Sequence, residues 1–158
     1  MSDNQRGSVG AMTQATPPAW PVTSAPPAGT PATVAAACRA VGHDLLASAA
    51  VRRALPALAW WLGAGELLPE GFVVLGLADG AHRLAGFGLD PARPVDEVIA
   101  EAADRVQQHL TGYEFLQWPP CADGRHVLQP TTHAGAAVWS CAGPPPQEIP
   151  IGRWSAPS

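Results

Sequence analysis

The sequence predicts an α+β fold, in which a small antiparallel sheet of two hairpins packs against helices. Asp79-Gly80 divides the strand-like run Phe72–Gly88 and is a strong signal for a hairpin turn. The segment Val95–Leu110 carries apolar residues at helical spacing and therefore predicts an amphipathic helix. Two more strand-like runs near the C-terminus predict a second hairpin. Strands and helices in this order, without regular βαβ alternation, indicate the α+β class.

The composition along the chain predicts a single folded domain over residues 33–142. Residues 1–32 are rich in Pro and Ala and poor in large apolar side chains, so we expect a disordered tail that can present polyproline-like segments to a partner. Residues 143–158 form a second Pro-rich tail. Three of its apolar side chains are available to dock on the domain: Ile149, Ile151 and Trp154.

Two helices are predicted to open the domain. Thr33 can cap a helix over Val34–Ala49, and Ser48 can cap a second helix over Ala49–Leu62. Because proline breaks the helical hydrogen-bond ladder, we expect a kink or an interruption at Pro56.

Trp60 and Trp61 fall at the end of the second predicted helix and point to different faces. One of them is expected in the core. The other either packs on the sheet or marks a partner-binding surface, because exposed aromatic side chains are typical of interfaces.

The turn at Asp79-Gly80 sets the predicted register of the first hairpin. The predicted cross-strand pairs are Leu75 with Leu84, Val73 with Gly86, and Leu77 with His82. His82, beside the turn, is expected to be solvated. Glycines inside a strand mark bulges or the close approach of another group, and this hairpin has three of them: Gly76, Gly86 and Gly88.

The segment Trp118–Cys141 combines metal-capable side chains with strand patterning. Val127–Thr131 and Ala136–Ser140 are its two strand-like runs. If the turn centres near His133–Ala134, Leu128 lies opposite Trp139 and His126 lies opposite Cys141. Tyr113–Trp118, just before it, is predicted to form a further short strand.

Three side chains are expected to meet at the open end of this second hairpin: Cys121, His126 and Cys141. The turn Ala-Asp-Gly after Cys121 can bring that residue back toward His126. His133 lies at the hairpin tip, on the order of 20 Å away, and is therefore excluded from the group.

These three candidate metal ligands leave alternatives open. Zinc accepts thiolates and imidazole, but a closed structural site needs four ligands, so Asp123, another His or water has to complete the sphere. A disulfide between Cys121 and Cys141 is one alternative, and two reduced cysteines beside a solvent-facing His are the other.

The motifs in this region resemble a group of small uncharacterised actinobacterial proteins with a Cys- and His-bearing C-terminal hairpin. The likeness covers roughly residues 95–141 and rests on a W-P-P-C run, an H-x-L-x-P run and an A-V-W-x-C run. In that group Pro often follows both cysteines and a denser His run follows the first, whereas here Ala122 and Ala142 take those places. The resemblance implies a shape and no activity. The matching residues are Trp118, Pro119, Pro120, Cys121, His126, Leu128, Pro130, Ala137, Val138, Trp139 and Cys141.

The charge distribution excludes several classes of function. The chain has a net charge of −4 and contains no lysine, so it offers no basic patch for nucleic acid. The most apolar region, Leu45–Leu68, is interrupted by arginine, proline and glycine, and the polar start of the chain does not read as a signal peptide. We therefore expect a cytoplasmic, reduced protein that binds neither nucleic acid nor membranes.

Three functions fit these observations. The first is a non-enzymatic binding or adaptor protein that meets an unknown protein partner through the Pro-rich tail and Trp60 or Trp61. The second is a small zinc-stabilised module centred on Cys121, His126 and Cys141. The third is a metal-dependent hydrolase with an open coordination position, for which the sequence supplies ligands but no identifiable base.

Overall fold

The structure is a computed structural model that describes residues 17–157. It confirms the α+β class but divides the strands between two antiparallel sheets. This differs from the predicted single sheet of two hairpins, because each hairpin belongs to its own sheet and gains further strands. In order across the sheets, the first contains β1 (Ala19–Pro21), β2 (Leu58–Gly63), β3 (Val73–Asp79) and β4 (His82–Leu89), and the second contains β5 (Gln129–His133), β6 (Ala136–Cys141) and β7 (Gln147–Pro150).

Three helices are assigned in the described part of the chain: α1 (Ala32–Ala47), α2 (Ala49–Ala54) and α3 (Val95–Gly112). Helix α3 packs on α1 and also contacts β4, β5 and β6, so it joins the two sheets. Its predicted apolar stripe is buried in the shared core through four side chains: Val98, Ala102, Val106 and Leu110. No strand forms over residues 113–118, contrary to the prediction.

The predicted helix over Ala49–Leu62 is wrong beyond Ala54. Ser48 caps it as expected, since its hydroxyl accepts a hydrogen bond of 3.3 Å from the backbone N–H of Val51. Proline two residues after the helix prevents its continuation, and the aromatic and apolar run that follows forms β2 instead. Thr33 is not a cap either: helix α1 begins at Ala32, and the Thr33 hydroxyl donates to the carbonyl of Pro91 at 2.8 Å.

Parts of both predicted tails are folded. Trp20 on β1 pairs with Trp60 on β2 and is only 6 % exposed, so Ala19–Pro21, within the predicted tail of residues 1–32, belongs to the first sheet. Residues 1–16 lie outside the described residues. At the other end, β7 pairs with β6, and Ile151 and Trp154 are buried as expected for docking side chains. The folded domain therefore extends well beyond residues 33–142.

The first hairpin forms, but with a different register. Leu77 pairs with Ala85 and Asp79 pairs with His82, with a bulge between Leu77 and Ala78. The two central turn residues are Gly80 and Ala81, and only Gly80 has a positive φ, of 57°. The predicted pairs of Leu75 with Leu84, Val73 with Gly86, and Leu77 with His82 are therefore wrong. His82 is exposed, as predicted.

Trp60 and Trp61 point to opposite faces of β2, but both are buried. Their exposed fractions are 1 % and 9 %. A partner surface at either residue requires an exposed ring, and neither ring is exposed. The indole of Trp61 lies across Gly76 and Gly86, where any Cβ would overlap the ring, and this confirms the predicted close approach to these glycines. The guanidinium of Arg83 lies 4.5 Å above the same ring.

Candidate metal centre

The second hairpin positions one of the candidate ligands. Its turn residues, Ala134 and Gly135, have φ values of 49° and 75°, which is the pattern of a type I′ turn. Pro130 therefore faces Trp139, and the predicted pairing of Leu128 with Trp139 is wrong by two residues, as is that of His126 with Cys141. Because side chains alternate between faces with a period of two, this shift leaves every side chain on its predicted face.

A tight loop before β5 brings the other two ligands together. The N–H of Cys121 donates to the carbonyl of His126 at 2.9 Å, and the N–H of Leu128 donates to the carbonyl of Pro119, also at 2.9 Å. Gly124 at the loop tip has a φ of 66°, a conformation that favours glycine. The loop therefore folds Cys121 back onto the segment that carries His126.

The three predicted ligands meet in the structure. Single ligand atoms of Cys121, His126 and Cys141 all lie within 4.8 Å of one another, so the group can hold a metal ion. In a tetrahedral zinc site, bond lengths of about 2.0–2.3 Å imply ligand–ligand distances of roughly 3.3–3.8 Å. The cluster therefore needs a contraction of at most about 1 Å to coordinate zinc. Cys121 is buried, Cys141 is half-buried and His126 is exposed, which places the group at the surface.

Gly143 and a cavity lie beside the ligands. A Cβ on Gly143 would lie 3.4 Å from the Sγ of Cys141 and 3.7 Å from the Nδ1 of His126, which are ordinary van der Waals distances. The cavity has a volume of about 270 Å³ and is lined by Cys121, Asp123, Cys141 and Gly143 among others.

Asp123 is the nearest further ligand. Its Oδ1 accepts hydrogen bonds of 2.9 Å from the Cys121 thiol and from the backbone N–H of Arg125, and its Oδ2 lies 3.8 Å from the Nδ1 of His126. The bond to Asp123 raises the pKa of the Cys121 thiol, and the same bond lowers the pKa of the carboxyl. Metal binding therefore has to replace this thiol proton.

His133 stands apart from the cluster, as predicted. It lies at the end of β5, and its Nδ1 is 2.8 Å from the carboxylate of Glu148 on β7. All three cysteines are free thiols in the structure, and Cys38 is buried in α1, away from the other two.

Sequence reasoning missed Gln107, which positions the loop that carries Cys121. Its side-chain amide is buried and donates to the carbonyl of Trp118 at 2.9 Å and to that of Leu128 at 2.6 Å. These carbonyls flank the loop on either side. The sequence signal for this role was the position of Gln107 on α3, next to Val106 of the apolar stripe. A polar side chain at such a position needs buried hydrogen-bond partners.

Asp44 was missed as well. This fully buried carboxylate on α1 accepts hydrogen bonds from the Trp139 indole at 2.7 Å and from the N–H groups of Gly152 and Trp154 at 2.7 and 3.0 Å. It thereby fixes β6 and the segment after β7 to the helix. The sequence signal for Asp44 was an acidic residue between Val41 and Leu45, on the apolar side of α1. A buried charge requires several hydrogen-bond donors.

Comparison with known proteins gives no significant match among family models, curated proteins or solved structures. Within residues 17–157, no helix combines the length and the apolar character needed to cross a membrane. The functional inference therefore depends on the chemistry of the cluster itself.

Proposed function

We propose that this chain is a small zinc-binding module in which the ion stabilises the C-terminal sheet. The ligands are the Sγ atoms of Cys121 and Cys141 and the Nδ1 of His126. The observation that supports this proposal is the convergence of one ligand atom from each of these residues within 4.8 Å. Two thiolates and an imidazole select zinc over magnesium or calcium, which prefer oxygen ligands.

The ion would join the loop before β5 to the end of β6. Cys121 and His126 belong to that loop, whereas Cys141 ends β6. A metal bound in the folded state but not in the unfolded chain adds its binding free energy to folding. The ion would thus add to the hydrogen bonds that the loop already makes with Gln107, Gln147 and Trp154.

Asp123 is proposed as the fourth ligand, which closes the coordination sphere. Its Oδ1 lies 2.9 Å from the Sγ of Cys121 and its Oδ2 lies 3.8 Å from the Nδ1 of His126. The carboxylate stands outside the group of three ligand atoms that lie within 4.8 Å of one another, so it has to turn toward Cys141 to join them. A water in this place would instead leave the open position that a metal-dependent hydrolase needs. The identity of the fourth ligand thus separates a structural site from a catalytic one.

Elemental analysis of protein purified without a histidine tag tests the zinc site. We expect about one zinc per chain, and less than about 0.2 would overturn the proposal. Cys121→Ser and Cys141→Ser should lose the metal, whereas the control Cys38→Ser should retain it. An intact mass two hydrogens lower, without metal, that persists in Cys38→Ser would instead establish the disulfide between Cys121 and Cys141.

Replacing Asp123 tests whether the coordination sphere of the zinc ion is closed. If the carboxylate is a ligand, Asp123→Ala should weaken zinc binding by roughly 10- to 100-fold in competition with a chromogenic chelator. The matched control is Asp104→Ala on the outer side of α3, which should change nothing. Unchanged affinity in Asp123→Ala would favour an open site and the hydrolase alternative.

A second candidate is a non-enzymatic protein-binding role through exposed aromatic side chains. Tyr113 and Phe115, after α3, are 75 % and 86 % exposed. Phe115 also has a φ of 54°, a backbone conformation that costs a non-glycine residue roughly 1–3 kcal/mol and is frequent at functional sites. These two residues replace Trp60 and Trp61 as the aromatic surface that such a role requires.

Affinity capture with matched variants tests this second candidate. A stoichiometric partner should bind the wild type and be lost with the double variant Tyr113→Ser and Phe115→Ser. It should be retained with Leu67→Ser, which removes a fully exposed apolar side chain elsewhere. A partner that binds all three proteins equally would contradict a role for Tyr113 and Phe115.

A further inference from the structure

A second cavity lies far in sequence from the metal ligands. It has a volume of about 600 Å³ and is formed by β1, the end of α1, helix α2 and the loop before β2. This volume falls within the range of roughly 300–1,000 Å³ that is typical of small-molecule sites. Most of its wall is apolar, and the apolar side chains that line it include Trp20, Leu45, Leu46, Val51, Leu55 and Leu58.

The cavity carries one charge. Arg52 is the only ionisable side chain among the described residues that line it, and no carboxylate lies within salt-bridge distance of its guanidinium in residues 17–157. The guanidinium donates to the carbonyl of Leu46 and keeps further N–H groups for another acceptor. A single unpaired cation beside an apolar wall fits an anionic, amphipathic ligand.

We propose that this cavity binds a medium-chain carboxylate, with the chain against the apolar wall and the carboxylate on Arg52. A neutral hydrocarbon would leave the Arg52 guanidinium without an acceptor, and an alkylammonium would be repelled by it. A planar guanidinium with parallel N–H groups matches a carboxylate in geometry as well as in charge. This site is separate from the zinc site and does not depend on it.

Calorimetric titration of the full chain with three ligands of equal chain length tests the ligand class. Decanoate should bind with a dissociation constant of about 10 μM to 1 mM, the range expected for a ligand of this size. Decan-1-ol and decylammonium should bind at least about fivefold more weakly, since each lacks the ion pair with Arg52. No binding of decanoate, or equal binding of all three ligands, would overturn the proposal.

Adjacent arginines provide the matched control for the charge. Arg52→Gln should weaken decanoate binding by about fivefold and leave decan-1-ol unchanged. Arg53→Gln removes the same charge from the next residue of α2, which does not line the cavity, and should bind decanoate like the wild type. Equal losses in both variants would show a diffuse charge effect and would contradict a bound carboxylate at Arg52.

A blocking variant locates the site. Ala57 is an exposed loop residue that lines the cavity, so Ala57→Phe should occupy its mouth and reduce the binding of both decanoate and decan-1-ol. Ala54→Phe places the same ring on an exposed helical residue outside the lining and serves as the control. Circular dichroism confirms that both variants are folded. Unchanged binding in a folded Ala57→Phe variant would place the ligand elsewhere and refute the assignment.

Discussion

The carboxylate of Asp44 accepts a 2.7 Å hydrogen bond from the indole of Trp139, a residue 95 positions further along the chain. Trp139 in turn packs edge-on against Trp118, with ring centroids 5.0 Å apart. The indole N–H of Trp118 donates to the backbone carbonyl of Asp44 at 3.3 Å, which closes the triangle. One helical residue thus holds the two tryptophans that flank the candidate metal ligands.

Replacing Asp44 should destabilise the whole domain. An amide keeps one acceptor but turns the other into a donor, which then faces either the N–H of Trp154 or the N–H groups of Gly152 and Trp139. We expect Asp44→Asn to lower the free energy of unfolding by about 2–4 kcal/mol, measured by urea denaturation. The control Asp104→Asn, on the outer side of α3, should change it by less than about 0.5 kcal/mol. Equal effects of the two variants would contradict the central role of Asp44.

Gln107 should affect both stability and metal binding. Gln107→Ala leaves the carbonyls of Trp118 and Leu128 without their buried donor, so we expect a loss of about 1–3 kcal/mol in the free energy of unfolding. Zinc affinity should fall by roughly tenfold, because the loop that holds Cys121 is less well positioned. Gln108→Ala, at the exposed neighbouring position, should leave zinc affinity unchanged. If the two variants bind zinc equally well, Gln107 has no positioning role.

Cys38 should make the stability depend on alkaline pH. Burial raises the pKa of its thiol from 9.0 to about 12. As the pH rises above 9.0, the thiol ionises in the unfolded chain while it stays protonated in the folded protein. Its contribution to stability is therefore complete below that pH and is lost toward about pH 12, with a slope of about 1.4 kcal/mol per pH unit.

The comparison with Cys38→Ala isolates this effect. Urea denaturation under reducing conditions, from about pH 8 to about pH 11, should show a steeper decline for the wild type than for the variant. Removing the buried thiol also changes packing, so the relevant quantity is the difference in slope and not the difference at one pH. Parallel profiles would show that Cys38 is accessible to solvent when it ionises.

Gly76 should tolerate no side chain. A Cβ there would overlap the Trp61 ring and the carbonyl of Ala85, and a backbone carbonyl inside a sheet cannot move aside. We expect Gly76→Ala to lower the free energy of unfolding by about 2–3 kcal/mol in thermal or urea denaturation. Gly112→Ala, at the end of α3, meets no atom within 4 Å and should be neutral or slightly stabilising. A neutral Gly76→Ala would mean that the Trp61 ring has another position.

At the second hairpin the faces of the strands were predictable from the sequence, but the register was not. A turn at Ala134–Gly135 and one centred a residue earlier are both compatible with the composition, yet they shift the pairing of Trp139 by two positions. Because the period of a strand is two, the candidate site is unaffected by this error. At the first hairpin the register error of Leu75 and Leu77 is three positions, an odd number, so it also changes which residues share a face.

Contacts that span the chain account for most of what the sequence did not predict. Strand β1 forms in a Pro-rich segment because Trp20 pairs with Trp60, and this contact cannot be inferred from local composition. The residues that follow the short helix α2 form strand β2 because they pair with β3. The same holds for Asp44, whose partners lie up to 110 residues away. Cys121, His126 and Cys141 were predictable because they lie on one local hairpin and its adjoining loop.

The wide separation of Asp44 from its donors has a consequence for biosynthesis. On the ribosome, the acid of α1 emerges long before the amides of Gly152 and Trp154, which are translated 108 and 110 residues later. Until then, the carboxylate of Asp44 on helix α1 depends on hydrogen bonds from water. This need for hydration opposes early burial of the helix. Nascent chains should therefore remain susceptible to proteases until that last segment has left the exit tunnel.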